Sequence, residues 1–75
     1  NPSTKISWQS PVGSHQTLKI YDVLGNEVAT LVHEYKSAGG YEVVWDASKY
    51  PSGVYFYQLN VGDKFFEVKK MQLLK

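Results

Sequence analysis

Gly53-Val54-Tyr55-Phe56-Tyr57-Gln58-Leu59-Asn60-Val61-Gly62-Asp63 is the stretch on which the reading of the fold turns. Tyr55, Tyr57, Leu59 and Val61 share one parity, while Val54, Phe56, Gln58 and Asn60 share the other. Successive side chains of a strand point to opposite faces, so this alternation predicts a strand with one apolar side. Its aromatic and β-branched content suits a pleated, half-buried surface. Pro51 bars a central strand position just upstream, so the strand opens at Gly53. Gly62-Asp63 then has the two-residue spacing of a β-hairpin, with Gly first as a type II′ turn requires.

Working outward, similar short runs recur between clusters of Gly, Pro, Asn, Asp and Ser, the spacing of an all-β sandwich or barrel. Ile6 and Trp8 share a face in Lys5 to Gln9, and Leu18 and Ile20 share one in the next strand. Ser10 to Ser14 and Asp22 to Asn26 read as turns, with Gly25 supplying a positive φ in the second. In Glu27 to Tyr35, Val28, Leu31, Val32 and Tyr35 fall at helical spacing. The segment is short, uncapped and flanked by strands, so we read it as extended, with a bulge near Ala29-Thr30 that switches the inward face. Ser37 to Gly40 is a turn, and Tyr41, Val43 and Trp45 alternate behind it. Asp46 closes that strand as an Asx-type turn residue. In the last run Phe66 and Val68 share one parity and Met71 and Leu73 the other, so a bulge at Lys69-Lys70 is expected to reconcile them. The total is six or seven strands. Gly25, Gly39 and Gly53 read as backbone requirements at turns.

The chain has 75 residues and no cysteine, so one domain, residues 1–75, must hold its core without disulfides or thiolate metal sites. Aromatic mass compensates: two Trp, six Tyr and three Phe, each able to bury on the order of 150–250 Å². A net charge of +1 carried by Lys alone argues against nucleic acid, where Arg supplies the bidentate contacts. Charge is nevertheless uneven. The last twelve residues sum to +3 and residues 1–63 to −2. Asn1 to Thr4 look like a linker junction rather than a signal peptide, which suggests a domain within a longer protein.

Catalytic, cofactor and metal chemistry find little support. His15 and His33 have no partner at ligand or triad spacing, and Asp22, Asp46 and Asp63 sit at expected turns. No Ser has a nucleophile-elbow context, and no calcium-loop pattern is present. We therefore expect a non-enzyme without cofactor or small-molecule substrate. Trp8, Trp45, Tyr55 and Tyr57 could form a stacking platform for sugars, which requires exposed Trp rings, or could be core, as alternating strand positions usually are. Val54 and Phe56 face the other way, on a sheet surface that could be left partly exposed to a partner.

Five blocks occur in order: Asn1-Pro2; Leu18-Lys19-Ile20-Tyr21-Asp22-Val23-Leu24-Gly25-Asn26-Glu27-Val28; Ala38-Gly39-Gly40-Tyr41-Glu42-Val43-Val44-Trp45-Asp46; Ser52-Gly53-Val54-Tyr55-Phe56-Tyr57; and Lys69-Lys70-Met71-Gln72-Leu73-Leu74-Lys75. Together they resemble the C-terminal sorting domain of the type IX secretion system. Asn26 stands where that pattern often has Arg. The Ig-like domain of flagellar hook-assembly scaffolds shares the Ile-Tyr-Asp, Gly and Trp-Asp signals and supplies an alternative reading as a structural module; the closing block favours the sorting domain.

The resemblance implies an Ig-like antiparallel β-sandwich behind a fused cargo that crosses the periplasm to the cell surface or the medium. Its implied partners are the outer-membrane translocon with its shuttle protein, and a sortase that cuts before the domain. It also implies that Lys69, Lys70, Met71, Gln72, Leu73, Leu74 and Lys75 are read as the signal. The same residues admit a plainer role, with Met71 and Leu73 as core and Lys69, Lys70 and Lys75 as solvated gatekeepers of an edge strand.

Overall fold

The computed structural model describes residues 3–74. Six strands follow one another: β1 (Ser3–Ser10), β2 (Ser14–Asp22), β3 (Glu27–Lys36), β4 (Gly39–Asp46), β5 (Gly53–Val61) and β6 (Phe65–Leu73). They form two antiparallel sheets, one of order β1-β4 and one of order β3-β2-β5-β6. The β2–β3 and β5–β6 connections are hairpins, and between them the chain crosses to the smaller sheet and returns. That excursion brings β5 beside β2.

One apolar cluster serves both sheets. Ile6 and Trp8 of β1 and Trp45 of β4 enter it from the smaller sheet. Leu18, Ile20, Val32, Tyr55, Leu59, Val61 and Leu73 enter it from the larger. The Trp45 ring meets Tyr55 edge-on, with centroids 5.4 Å apart. The expected alternation in β5 is present: Tyr55, Leu59 and Val61 are buried, Tyr57 packs against them, and Val54 and Phe56 lie half-buried on the far side.

A polar junction crosses the core. The Trp8 indole Nε1–H donates to Gln16 Oε1 at 2.9 Å, and Gln16 Nε2 donates to Ser10 Oγ at 3.1 Å. Ser10 Oγ in turn donates to the Val12 carbonyl at 2.7 Å. Gln16 and Ser10 are both buried, and buried polar groups are tolerated where each finds its partner.

The turns follow their residues. Gly25 has φ 86°, and the Asp22 carboxylate accepts from the backbone N–H groups of Leu24 (2.9 Å) and Asn26 (3.0 Å). Asp46 accepts from the Ser48 N–H at 3.0 Å, the expected Asx arrangement. Gly62 takes φ 56° and the Lys64 N–H donates to the Val61 carbonyl at 3.0 Å, so a turn with Gly at its second position links β5 to β6. The ladder closes at Val61↔Phe65, so the loop is Gly62-Asp63-Lys64, one residue longer than the expected two. Gly39 and Gly53 are the opening residues of β4 and β5.

Glu27–Lys36 is extended, and its ladder to β2 shifts register twice, skipping Leu31 and Val28 on either side of Ala29-Thr30. The helical spacing of its apolar residues is thus the trace of a doubly bulged strand. The last strand differs from expectation. Its pairing with β5 runs without a break from Val61↔Phe65 to Gly53↔Leu73, so Lys69-Lys70 carries no bulge. The apolar residues change face instead. Two strands cannot cover four, and the Phe65–Lys69 half of β6 contributes nothing to the core cluster, whereas Met71 and Leu73 do.

Candidate sorting surface

Because the register is unbroken, every side chain of β6 has a defined face. Met71 lies opposite Tyr55 and Leu73 opposite Gly53; Leu73 is buried at 5% exposure and Met71 packs half-buried on the core. Glu67 and Lys69 share that parity but pair with each other at its rim, 3.5 Å apart. Phe66, Val68, Lys70 and Gln72 take the opposite, solvent side. Phe66 is 62% exposed and Val68 50%.

On that outer face the ladder sets three cross-strand rows: Thr17, Asn60 and Phe66; Lys19, Gln58 and Val68; Tyr21, Phe56 and Lys70. The result is a mixed face: Phe66 and Val68 stand on the outer strand, whose only ladder partner among the described residues is β5, and Tyr21 and Phe56 lie behind Lys70. A strand paired on one side presents its backbone donors and acceptors to any chain that can lie alongside.

The seven residues read as a signal are therefore divided. Lys69, Lys70, Gln72 and Leu74 are exposed, Met71 and Leu73 turn inward, and Lys75 lies outside the described residues, as do Asn1 and Pro2 of the first block. Phe66 and Val68 were not among the expected signal residues; their mismatch in parity with Met71 and Leu73 is the feature that marks them.

The sugar-platform reading is excluded by burial: Trp8 is 8% exposed and Trp45 3%. The expectation that His15 and His33 lack a partner is corrected. Thr17 pairs with His33 and His15 with Tyr35 in the β2–β3 ladder, which brings the two imidazoles into contact, His15 Nε2 to His33 Nδ1 at 3.4 Å. Among the described residues no three His, Cys, Asp or Glu side chains converge as metal ligands.

An all-β scaffold that buries both Trp rings and Tyr55 and leaves Phe66 and Val68 outside, beside Lys69 and Lys70, has the make-up of a recognition module. Residues 1–73 match the family model described as the secretion system C-terminal sorting domain, and the chain belongs to that family. Of the two families that the sequence resembles, the match falls on the sorting domain. Neither the curated proteins nor the solved structures contain a match. The chain is accordingly a non-catalytic secretion-signal domain of the type IX pathway, acting in a secretion apparatus that delivers proteins through the periplasm to the surface or beyond.

Proposed function

We propose that the domain is an Ig-like sandwich fused behind a cargo, and that β6 with its outer face is what the outer-membrane translocon and its shuttle protein read. The observation that carries this reading is the combination found on β6: an unbulged edge strand, Phe66 and Val68 turned to solvent, and Lys69 and Lys70 exposed beside them. An acidic receptor strand would be steered by the lysines and held by added ladder bonds, with pockets for the outward side chains. The half of the strand that enters the core fixes the position of the half that does not. A sortase acting upstream of residue 1 would then separate cargo from address.

The test is a reporter fused ahead of residues 1–75 in a cell with the secretion system. Removing residues 71–75 is expected to leave the reporter in the periplasm. Leu73 is buried, so truncation also weakens packing; Lys69→Glu with Lys70→Glu, at two exposed positions, keeps the core and is expected to lower delivery as well. Normal surface delivery of both variants would overturn the reading. Residues appended after Lys75 sharpen it: a terminus that is captured tolerates no extension, whereas capture along the edge alone permits one.

A further inference from the structure

We propose that His15 and His33 form a two-imidazole chelate for a zinc-class transition ion on the outer face of the β2–β3 pair. The sorting reading plays no part in this inference. The two residues stand 18 apart in sequence, and the antiparallel register makes them diagonal neighbours. Their rings are edge-to-face at 87° with centroids 4.8 Å apart, and the approaching atoms are both ring nitrogens, His15 Nε2 and His33 Nδ1, at 3.4 Å.

That separation is long for a hydrogen bond, whose heavy atoms usually lie about 2.7–3.2 Å apart. It matches the bite of a tetrahedral ion. With Zn–N bonds of about 2.1 Å, two ligands at the tetrahedral angle stand about 3.4 Å from each other. A square-planar ion would draw them closer, so the spacing favours Zn²⁺ in geometry over Cu²⁺. Both side chains are exposed, so an ion can enter and keep water in its remaining positions. Two neutral imidazoles without a carboxylate select against Ca²⁺ and Mg²⁺, which take oxygen ligands.

The strands also hold the ligands in place before any ion arrives. Thr17, opposite His33, is also paired with Asn60 in the β2–β5 ladder, which ties that row into the interior of the sheet. The chelate would bridge β2 and β3 and stabilise the folded state by mass action.

The test titrates the untagged chain with zinc chloride while following the ring signals of both His by NMR, with sedimentation as the measure of size. The expected result is one Zn²⁺ per monomer, perturbation of both rings, and a rise in the thermal midpoint. His15→Asn and His33→Asn should each weaken binding by about tenfold or more, since even outer-shell partners of zinc ligands are worth about 10–100-fold. Both sites are exposed, and circular dichroism confirms that the variants fold. Millimolar Ca²⁺ should not compete. Unperturbed rings, undiminished affinity in either variant, effective competition by Ca²⁺, or one Zn²⁺ shared by two chains would each overturn the proposal.

Discussion

The four-stranded sheet has two edges, β3 and β6, and they are finished in opposite ways. β3 is interrupted by two register shifts, at Leu31 and at Val28. Bulges bend and twist a strand and spoil it as a template for pairing. They also let β3 turn nearly all its apolar residues inward: Val32 is buried, and Val28, Ala29 and Leu31 pack on the core. β6 has no such interruption, pairs with β5 along its whole length, and keeps Phe66 and Val68 outside. The same sheet thus has one edge made unfit for pairing and one left unbulged, with Phe66 and Val68 outward and the Glu67–Lys69 pair and Lys70 along it. An edge left open where the opposite one is closed is what a docking strand requires.

The comparison rests on a common core, so the largest effect is expected where that core is emptied. Trp45→Ala removes the ring that joins the small sheet to Tyr55 and should cost about 3–5 kcal/mol, measured by denaturant unfolding. If the loss were below about 1 kcal/mol, the two sheets would not be sharing one core and neither edge would be positioned by it. Next comes the polar junction. Gln16→Leu leaves the buried Trp8 N–H without its acceptor, while the Ser10 hydroxyl loses one donor and keeps its bond to the Val12 carbonyl; an unpaired buried group costs about 1–3 kcal/mol. A neutral result would mean that β1 is held over β2 by apolar contact alone.

A third pair of substitutions separates the edges directly. Phe66→Ser with Val68→Ser, on the exposed face of β6, should change stability by no more than about 0.5 kcal/mol per site while lowering surface delivery of a fused reporter. Val32→Ser on β3 should do the reverse in character: it destabilises the domain, and delivery falls only as far as folding does. If the β6 pair secreted as well as the parent, the open edge would be a surface of no consequence.

How far these features could be read from the chain depends on the range of the interaction that sets them. The parity of β5, the Asp22–Gly25 turn and the Asx role of Asp46 are local, and they stand in the structure as the residues predict. The bulged character of β3 was legible because its apolar residues break period two. The same signal in β6 was misread: a parity change between Val68 and Met71 can mean a bulge or a strand passing out from under its cover, and the number of covering strands is a tertiary fact. Gln16 shares parity with Leu18 and Ile20, which marks it as inward-facing, yet its partners Trp8 and Ser10 belong to another sheet. The contact of His15 with His33 depends on the register of a doubly bulged hairpin, and no linear spacing reports it. Within the candidate site, the basic and apolar character of β6 was visible in composition, while the division of its side chains between core and solvent was not.

The smallest effect tests whether the bulges of β3 are held or incidental. Thr30 Oγ1 donates to Glu27 Oε2 at 2.8 Å, bridging the skipped Val28. That hydroxyl is the main reason the Glu27 carboxyl lies below its ordinary pKa; partial desolvation pushes the other way, and the Lys19 ammonium, 3.5 Å from Glu27 Oε1, adds to the lowering. A carboxyl with a depressed folded pKa favours the native state above its unfolded pKa, and this contribution disappears as pH falls through the folded value. In an NMR titration of Glu27, Thr30→Ala should therefore raise the midpoint toward the ordinary carboxylate value. Added salt should raise it further only by screening Lys19. A midpoint that ignores the loss of Thr30 would show that nothing clasps the bulge, and the closed edge would then owe its shape to the inward packing of Val28 and Leu31 alone.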